Sequence, residues 1–160
     1  MAKVAIHFTL NGSEKAEFVE SGTSLLDVLR EKLADFSPKG GCLQGTCGAC
    51  SVLIDGEIRL ACLTLAETCE GCTIETAGGL AKDGVLHPLQ IAFADGFATQ
   101  CGFCTGGMIV ASKALLDRNP APSRADVIEA ISGNVCRCTG YEPIIGAVLA
   151  AARANSTNKA

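Results

Sequence analysis

Apolar and polar residues alternate along the first part of the chain, which is the pattern of strands with one buried face. Apolar side chains recur at every second position over 4–8, and the Asn11-Gly12 pair predicts a tight turn into a second strand at 17–19. A further hairpin is predicted at 51–60, where two apolar runs flank an Asp-Gly pair. The chain is therefore expected to begin as a small β-sheet.

A helical spacing of apolar residues interrupts this sheet once and then replaces it. Residues 25–34 follow a cluster of capping residues at 21–24 and predict one helix packed on the sheet. Residues 73–76 predict a last strand, after which the alternation ends. We therefore predict an α+β chain with two domains, 1–78 and 79–160.

The second predicted domain has the pattern of four short antiparallel helices. Their boundaries follow from proline at a first turn, a Ser/Asp capping box, and glycine or proline after a last turn. In chain order, the predicted helices cover about 88–98, a segment through 108–116 that ends before Pro120, a segment from Ser123 to Gly133, and a segment that starts at Pro143.

Charge and composition argue against two classes of function. The chain of 160 residues has 13 basic and 17 acidic residues and no lysine or arginine run, so we expect no nucleic acid partner. It has no stretch near the about 20 apolar residues that span a bilayer, and residues 1–8 contain no export signal. We expect a cytoplasmic protein without membrane insertion, in which ten cysteines indicate metal binding.

A first set of four cysteines begins in a glycine-rich loop. Cys42, Cys47 and Cys50 have the C-x4-C-x2-C spacing, and Cys62 follows the predicted hairpin. This is the spacing of plant-type [2Fe-2S] ligands, and glycines let such a loop turn its N–H groups toward the negatively charged sulfurs. The alternatives are a zinc knuckle or buried thiols.

A second set of four cysteines lies at the joints of the helical half. Cys101 and Cys104 form a C-x2-C pair, and Cys136 and Cys138 form a C-x-C pair. The second pair is tighter than in zinc ribbons, so a second [2Fe-2S] cluster fits better than zinc, which remains the alternative. The two remaining cysteines have no partner pair, and we interpret them as free thiols.

Three motifs together carry a resemblance to a known family. They are GGCLQGTCGAC at 40–50 with Cys62 following, QCGFCTGGM at 100–108, and GNVCRCTGY at 133–141. Over about 4–151, the chain resembles the iron–sulfur subunit of the xanthine oxidase family of molybdenum hydroxylases. The resemblance implies an N-terminal β-grasp ferredoxin-like domain, a C-terminal four-helix [2Fe-2S]-binding domain, and no substrate site on this chain.

The resemblance also implies partners and an order of cofactors. A large molybdopterin-binding subunit would hold molybdenum with a pterin dinucleotide, and an FAD-binding subunit would take the electrons onward. The cluster at Cys101, Cys104, Cys136 and Cys138 would lie nearer molybdenum, with Gln100 and Cys138 beside the pterin, and the other cluster nearer the flavin. The sequence departs from the family at Gly106, where proline is common, and this glycine is expected to loosen the turn.

These observations give one leading functional hypothesis and two alternatives. The first is an electron-transfer subunit that carries electrons from molybdenum through two [2Fe-2S] clusters to FAD or another acceptor, with no catalytic residue and no turnover of its own. The alternatives are a free-standing ferredoxin-like carrier and a zinc-stabilised interaction module. The high apolar content, 48%, mildly favours a subunit that buries surface against partners.

Overall fold

The computed structural model describes residues 3–157 and contains one five-stranded sheet. The strands are, in chain order, Lys3–Leu10 (β1), Ser13–Glu20 (β2), Ser51–Ile54 (β3), Glu57–Leu60 (β4) and Thr73–Glu75 (β5). Their spatial order is β2-β1-β5-β3-β4. The sheet is mixed, because β5 runs parallel to β1 and antiparallel to β3.

The two turns predicted from Asn-Gly and Asp-Gly pairs close the two hairpins. Asn11 and Gly12 have φ of 52° and 83°, and Asp55 and Gly56 have φ of 51° and 81°. Two successive positive φ values suit the right-handed twist of the paired strands, and glycine supplies the second of them without strain. The second strand is longer than the predicted 17–19, since all of β1 pairs with it.

The helix predicted at 25–34 is shorter and irregular. Leu25–Asp27 (α1) forms one helical turn, which Ser24 caps, and Val28–Lys32 continues it as a wider π-helical turn. The N–H groups of Leu25 and Leu26 are already used by loop carbonyls at 2.8 and 3.1 Å. The element then ends at Ala34, whose φ is 55°.

The helical half contains the predicted helices with small shifts in their ends. They are Pro88–Asp95 (α2), Thr105–Arg118 (α3), Arg124–Ile131 (α4) and Glu142–Thr157 (α5). The first ends before the predicted 98, because Phe97 has a φ of 52° and cannot continue a helix. The capping box predicted at Ser123 and Asp126 is present at the start of α4.

Strand β3 separates two apolar clusters. Val52 packs in the cluster between the sheet and α1, and its neighbour Leu53 packs in the cluster formed by α2 to α5. Successive residues of a strand point to opposite faces, so β3 contributes side chains to the apolar cores of both halves of the chain. The α+β fold class is confirmed. Among residues 3–157, no helix is long and apolar enough to cross a membrane.

Candidate metal centres

The first set of thiols, called the first quartet below, lies where a loop meets the β3–β4 hairpin. Cys42 and Cys47 come from the glycine-rich loop, while Cys50 precedes β3 and Cys62 follows β4. The hairpin brings the last two together, because the N–H of Ala61 donates to the Cys50 carbonyl at 3.2 Å. The predicted convergence of hairpin ends and loop is therefore present.

Backbone N–H groups of the loop point at the first sulfur of this quartet. The amides of Gln44 and Thr46 donate to the Cys42 Sγ at 3.5 and 3.2 Å. Hydrogen bonds from the Thr46 side chain and the Gln44 backbone lower the pKa of Cys42 to about 6. The loop therefore stabilises a thiolate, which is the form that binds metal.

Cys50 is the buried thiol of the first quartet, whereas Cys42, Cys47 and Cys62 are partly exposed. Burial raises the pKa of Cys50 to about 11, and Cys62 and Cys47 are the neighbouring groups that also affect it. A thiol with such a raised pKa gives up its proton only to a bound metal ion, so loading this site must release protons.

The second set of thiols, called the second quartet, joins the start of α3 to the loop between α4 and α5. Cys104 immediately precedes α3, and the Sγ atoms of Cys101 and Cys138 are 3.6 Å apart. The Cys136 Sγ lies 3.1 Å from the Thr139 hydroxyl, and the Tyr141 hydroxyl accepts a hydrogen bond from the Cys136 N–H at 2.9 Å.

Burial, backbone and hydroxyl hydrogen bonds, and contacts between thiols shift the pKa values in the second quartet. Burial raises the pKa of Cys104 to about 12, and the Cys136 thiol raises it further. Burial favours a higher pKa for Cys136, but hydrogen bonds, including two with Thr139, lower the pKa overall. The Phe103 backbone lowers the pKa of Cys101, whereas the hydrogen bond with Cys101 raises the pKa of Cys138.

Both quartets are arranged as two pairs of neighbouring thiols. The pairs are Cys42 with Cys47, Cys50 with Cys62, Cys101 with Cys138, and Cys104 with Cys136. Within residues 3–157, no three or more His, Cys, Asp or Glu side chains are placed to hold one metal ion. Two pairs suit a [2Fe-2S] cluster, in which each iron takes two of the four cysteine sulfurs.

A side chain at residue 41 would collide with a sulfur of the first quartet. A Cβ on Gly41 would lie 2.9 Å from the Cys47 Sγ and 3.3 Å from the Phe103 ring. The residues present therefore fit a [2Fe-2S] cluster, through both the donor set and the glycine contact.

Sequence reasoning missed a buried asparagine at the contact between the two quartets. The Asn134 Nδ2 donates to the Gly48 carbonyl at 3.0 Å, and the next N–H, of Val135, donates to the Cys47 carbonyl at 2.9 Å. Asn134 lies inside the motif at 133–141, but nothing in the sequence indicates which carbonyl 86 positions away it binds.

The remaining predicted positions differ in accessibility. Gln100, Cys101 and Cys138 are exposed, so this edge of the second quartet is open at the surface. Cys69 and Cys72 lie at the entry to β5 as free thiols, and burial raises the pKa of both.

Comparison with known protein families agrees with this geometry. Residues 7–92 match the 2Fe-2S iron-sulfur cluster binding domain, and residues 73–149 match the [2Fe-2S] binding domain. The fold and the matches define a protein that carries two [2Fe-2S] clusters.

Several known proteins are similar over nearly the whole chain. The nicotinate dehydrogenase small FeS subunit of Eubacterium barkeri is 45% identical, over 92% of this chain and 94% of that protein. The crystal structure of quinoline 2-oxidoreductase from Pseudomonas putida 86 matches with a TM-score of 0.93 and 46% identity, covering 99% of both chains. The aldehyde oxidoreductase of Megalodesulfovibrio gigas is 46% identical over 90% of this chain, which corresponds to 16% of that protein.

The chain belongs to the iron–sulfur subunits of the xanthine oxidase family of molybdenum hydroxylases, which confirms the family predicted from the motifs. It is an electron-transfer subunit of an oxidoreductase complex.

Proposed function

We propose that the first quartet and the second quartet each hold one [2Fe-2S] cluster, with all eight thiolates as ligands. Such a cluster supplies reversible one-electron chemistry. The pairing of thiols within each quartet is the observation that carries this assignment. The amides of Gln44 and Thr46 favour the negative charge at Cys42, and hydrogen bonds to sulfur are among the features that set a cluster's reduction potential.

We infer that electrons enter at the second quartet and leave from the first. The exposed edge formed by Gln100, Cys101 and Cys138 suits contact with the large molybdopterin-binding subunit, where Gln100 and Cys138 would lie beside the pterin dinucleotide. The first quartet would face an FAD-binding subunit. Leu43 and Leu63, which are 65% and 60% exposed beside Cys42 and Cys62, offer an apolar surface for that contact.

The same proposal divides the chain into two domains, each of which contains one quartet. The sheet with α1 corresponds to a β-grasp ferredoxin-like domain at 1–78, and the four helices α2 to α5 form the [2Fe-2S]-binding domain at 79–160. The short 3₁₀ turn Ala77–Gly79 lies at the proposed boundary, between β5 and α2. A cytoplasmic location remains part of this proposal.

The free-standing carrier is the second candidate. Exposed apolar side chains favour the subunit over this alternative, since a carrier gains nothing from an apolar rim at its cluster loops. In the aldehyde oxidoreductase of Megalodesulfovibrio gigas, the region matching this chain is a small share of a longer protein. That relationship supports a unit that works in contact with further domains.

The proposal predicts assembly and electron transfer from the partner. We expect the chain to co-elute with the large molybdopterin-binding subunit after co-expression, and substrate of the complex to bleach the visible absorption of both clusters under anaerobic conditions. Replacing exposed Leu43 and Leu63 by serine should slow reoxidation by the FAD-binding subunit and leave substrate-driven bleaching unchanged. Elution as a monomer, with clusters that substrate does not reduce, would favour the free-standing carrier.

A further inference from the structure

The loops of the two quartets meet at one backbone carbonyl, that of Gly48. This oxygen accepts hydrogen bonds from the Ser51 N–H at 3.1 Å, the Ser51 hydroxyl at 2.8 Å and the Asn134 Nδ2 at 3.0 Å. Ser51 is the first residue of β3 and directly follows the loop that contains Gly48. Among these three donors, the Asn134 amide is the one that comes from the helical half, and its residue is only 4% exposed.

Close backbone packing surrounds this hydrogen bond. Gly48 has a φ of +67°, and a Cβ there would lie 2.5 Å from the Asn134 Nδ2 and 2.6 Å from the Gly133 carbonyl. A Cβ on Gly107, at the start of α3, would meet the Gly48 carbonyl at 2.2 Å. The loop that contains Gly48 is thus in direct contact with α3 and with the segment before Cys136. The side-chain amide of Asn134 lies at this contact.

The segment held in this way joins the two quartets by a short bonded route. The N–H of Val135 donates to the Cys47 carbonyl at 2.9 Å, and Val135 is followed directly by Cys136. One hydrogen bond therefore connects a residue of the first quartet to the neighbour of a residue of the second. Because the rate of electron transfer falls as the distance between two clusters grows, this contact bears directly on that rate.

We propose that Asn134 is a positioning residue that fixes the separation of the two clusters and thereby the rate at which an electron passes between them. The inference rests on the proposed function, in which each quartet holds one cluster. In this step one electron leaves the cluster of the second quartet and reduces the cluster of the first. No bond is made or broken.

Two variants separate positioning from general stability. Asn134→Ala removes the amide that joins the loops, whereas Ser112→Ala removes a buried hydroxyl that donates to Met108 within α3 at 2.7 Å. Both lose a buried hydrogen bond, and Ser112 is 0% exposed. The Ser112 variant is therefore a control for lost burial and hydrogen bonding away from the contact of the quartets.

The experiment uses the full chain, reconstituted anaerobically with iron and sulfide. The magnetic splitting is measured after both clusters are reduced, and electron exchange is measured in chains in which only one of the two clusters is reduced. In Asn134→Ala we expect unchanged iron content, a smaller magnetic splitting between the two reduced clusters in electron paramagnetic resonance, and electron exchange between the clusters slowed severalfold. In Ser112→Ala the splitting and the exchange rate should equal those of the unsubstituted chain, even if its unfolding midpoint falls.

Each outcome decides the proposal. An unchanged splitting and exchange rate in Asn134→Ala overturns it. If that variant loads poorly, Asn134→Ser is measured, since its hydroxyl is too short to bridge the loops but keeps a polar group there. If Asn134→Ala and Asn134→Ser both lose the cluster of the second quartet, Asn134 is needed for folding, and the positioning role is overturned. An unsubstituted chain with fewer than two clusters contradicts the proposed function instead.

Discussion

Replacing Cys101 by alanine is expected to remove the cluster of the second quartet and to stop electron flow out of the molybdenum subunit. The variant leaves Cys138 without the sulfur 3.6 Å away, so the exposed pair of this quartet can no longer hold an iron. Loss of groups that merely orient metal ligands costs about 10- to 100-fold in affinity or activity, and loss of a ligand should exceed that. We expect substrate-driven reduction of the acceptor to fall by more than about 100-fold.

The first cluster should remain in this variant, because its four thiols come from a different loop and hairpin. Its visible and paramagnetic spectra should persist at full intensity in the Cys101→Ala chain. Cys72→Ala is the matched control, since it removes a thiol outside both quartets and should keep both spectra. Loss of both clusters from Cys101→Ala, or equal loss from the control, would argue against two independent sites.

Replacing Gly107 by alanine is expected to destabilise the contact between the two halves strongly. The added Cβ would lie 2.2 Å from the Gly48 carbonyl and 3.1 Å from both the Ala49 Cα and the Asn134 Nδ2. Two of these three atoms are backbone atoms that cannot move aside alone, and overpacking of this kind costs about 1–3 kcal/mol. We expect the free energy of unfolding to fall by at least that much.

Gly146 provides the matched control for this prediction. It also lies in a helix, α5, and a Cβ there meets nothing within 4 Å. Gly146→Ala should therefore stabilise the chain by about 0.5–1 kcal/mol, through helix propensity alone. The measurement is urea unfolding of the reconstituted chains under anaerobic conditions. Equal midpoints for the two variants would show that the contact at Gly48 carries no steric constraint.

Short-range chemistry explains what the sequence could predict. The Asn-Gly and Asp-Gly turns, the capping box at Ser123 and the cysteine spacings each depend on residues a few positions apart, and all are present in the fold. The thiol pairs across the hairpin ends also follow from such local rules, because the hairpin register places Cys50 and Cys62 at the same end.

Long-range contacts explain what the sequence could not predict. The first N–H groups of α1 donate to carbonyls of the loop after β4, and the hydrogen bond of Asn134 to Gly48 likewise joins distant segments. Gly106 is another example: a Cβ there would meet the Ser37 carbonyl at 2.5 Å, so this glycine permits a close contact, while the looser turn stays a prediction. Neither periodicity nor spacing identifies such neighbours.

The central claim is that one chain carries two separate [2Fe-2S] clusters. Its most direct test is the iron and acid-labile sulfide content of the anaerobically reconstituted chain, combined with paramagnetic resonance after reduction. We predict about four irons and four sulfides per chain and two distinguishable signals. A colourless chain that binds zinc instead, or a chain that saturates with iron for a single cluster and a single signal, would contradict the account.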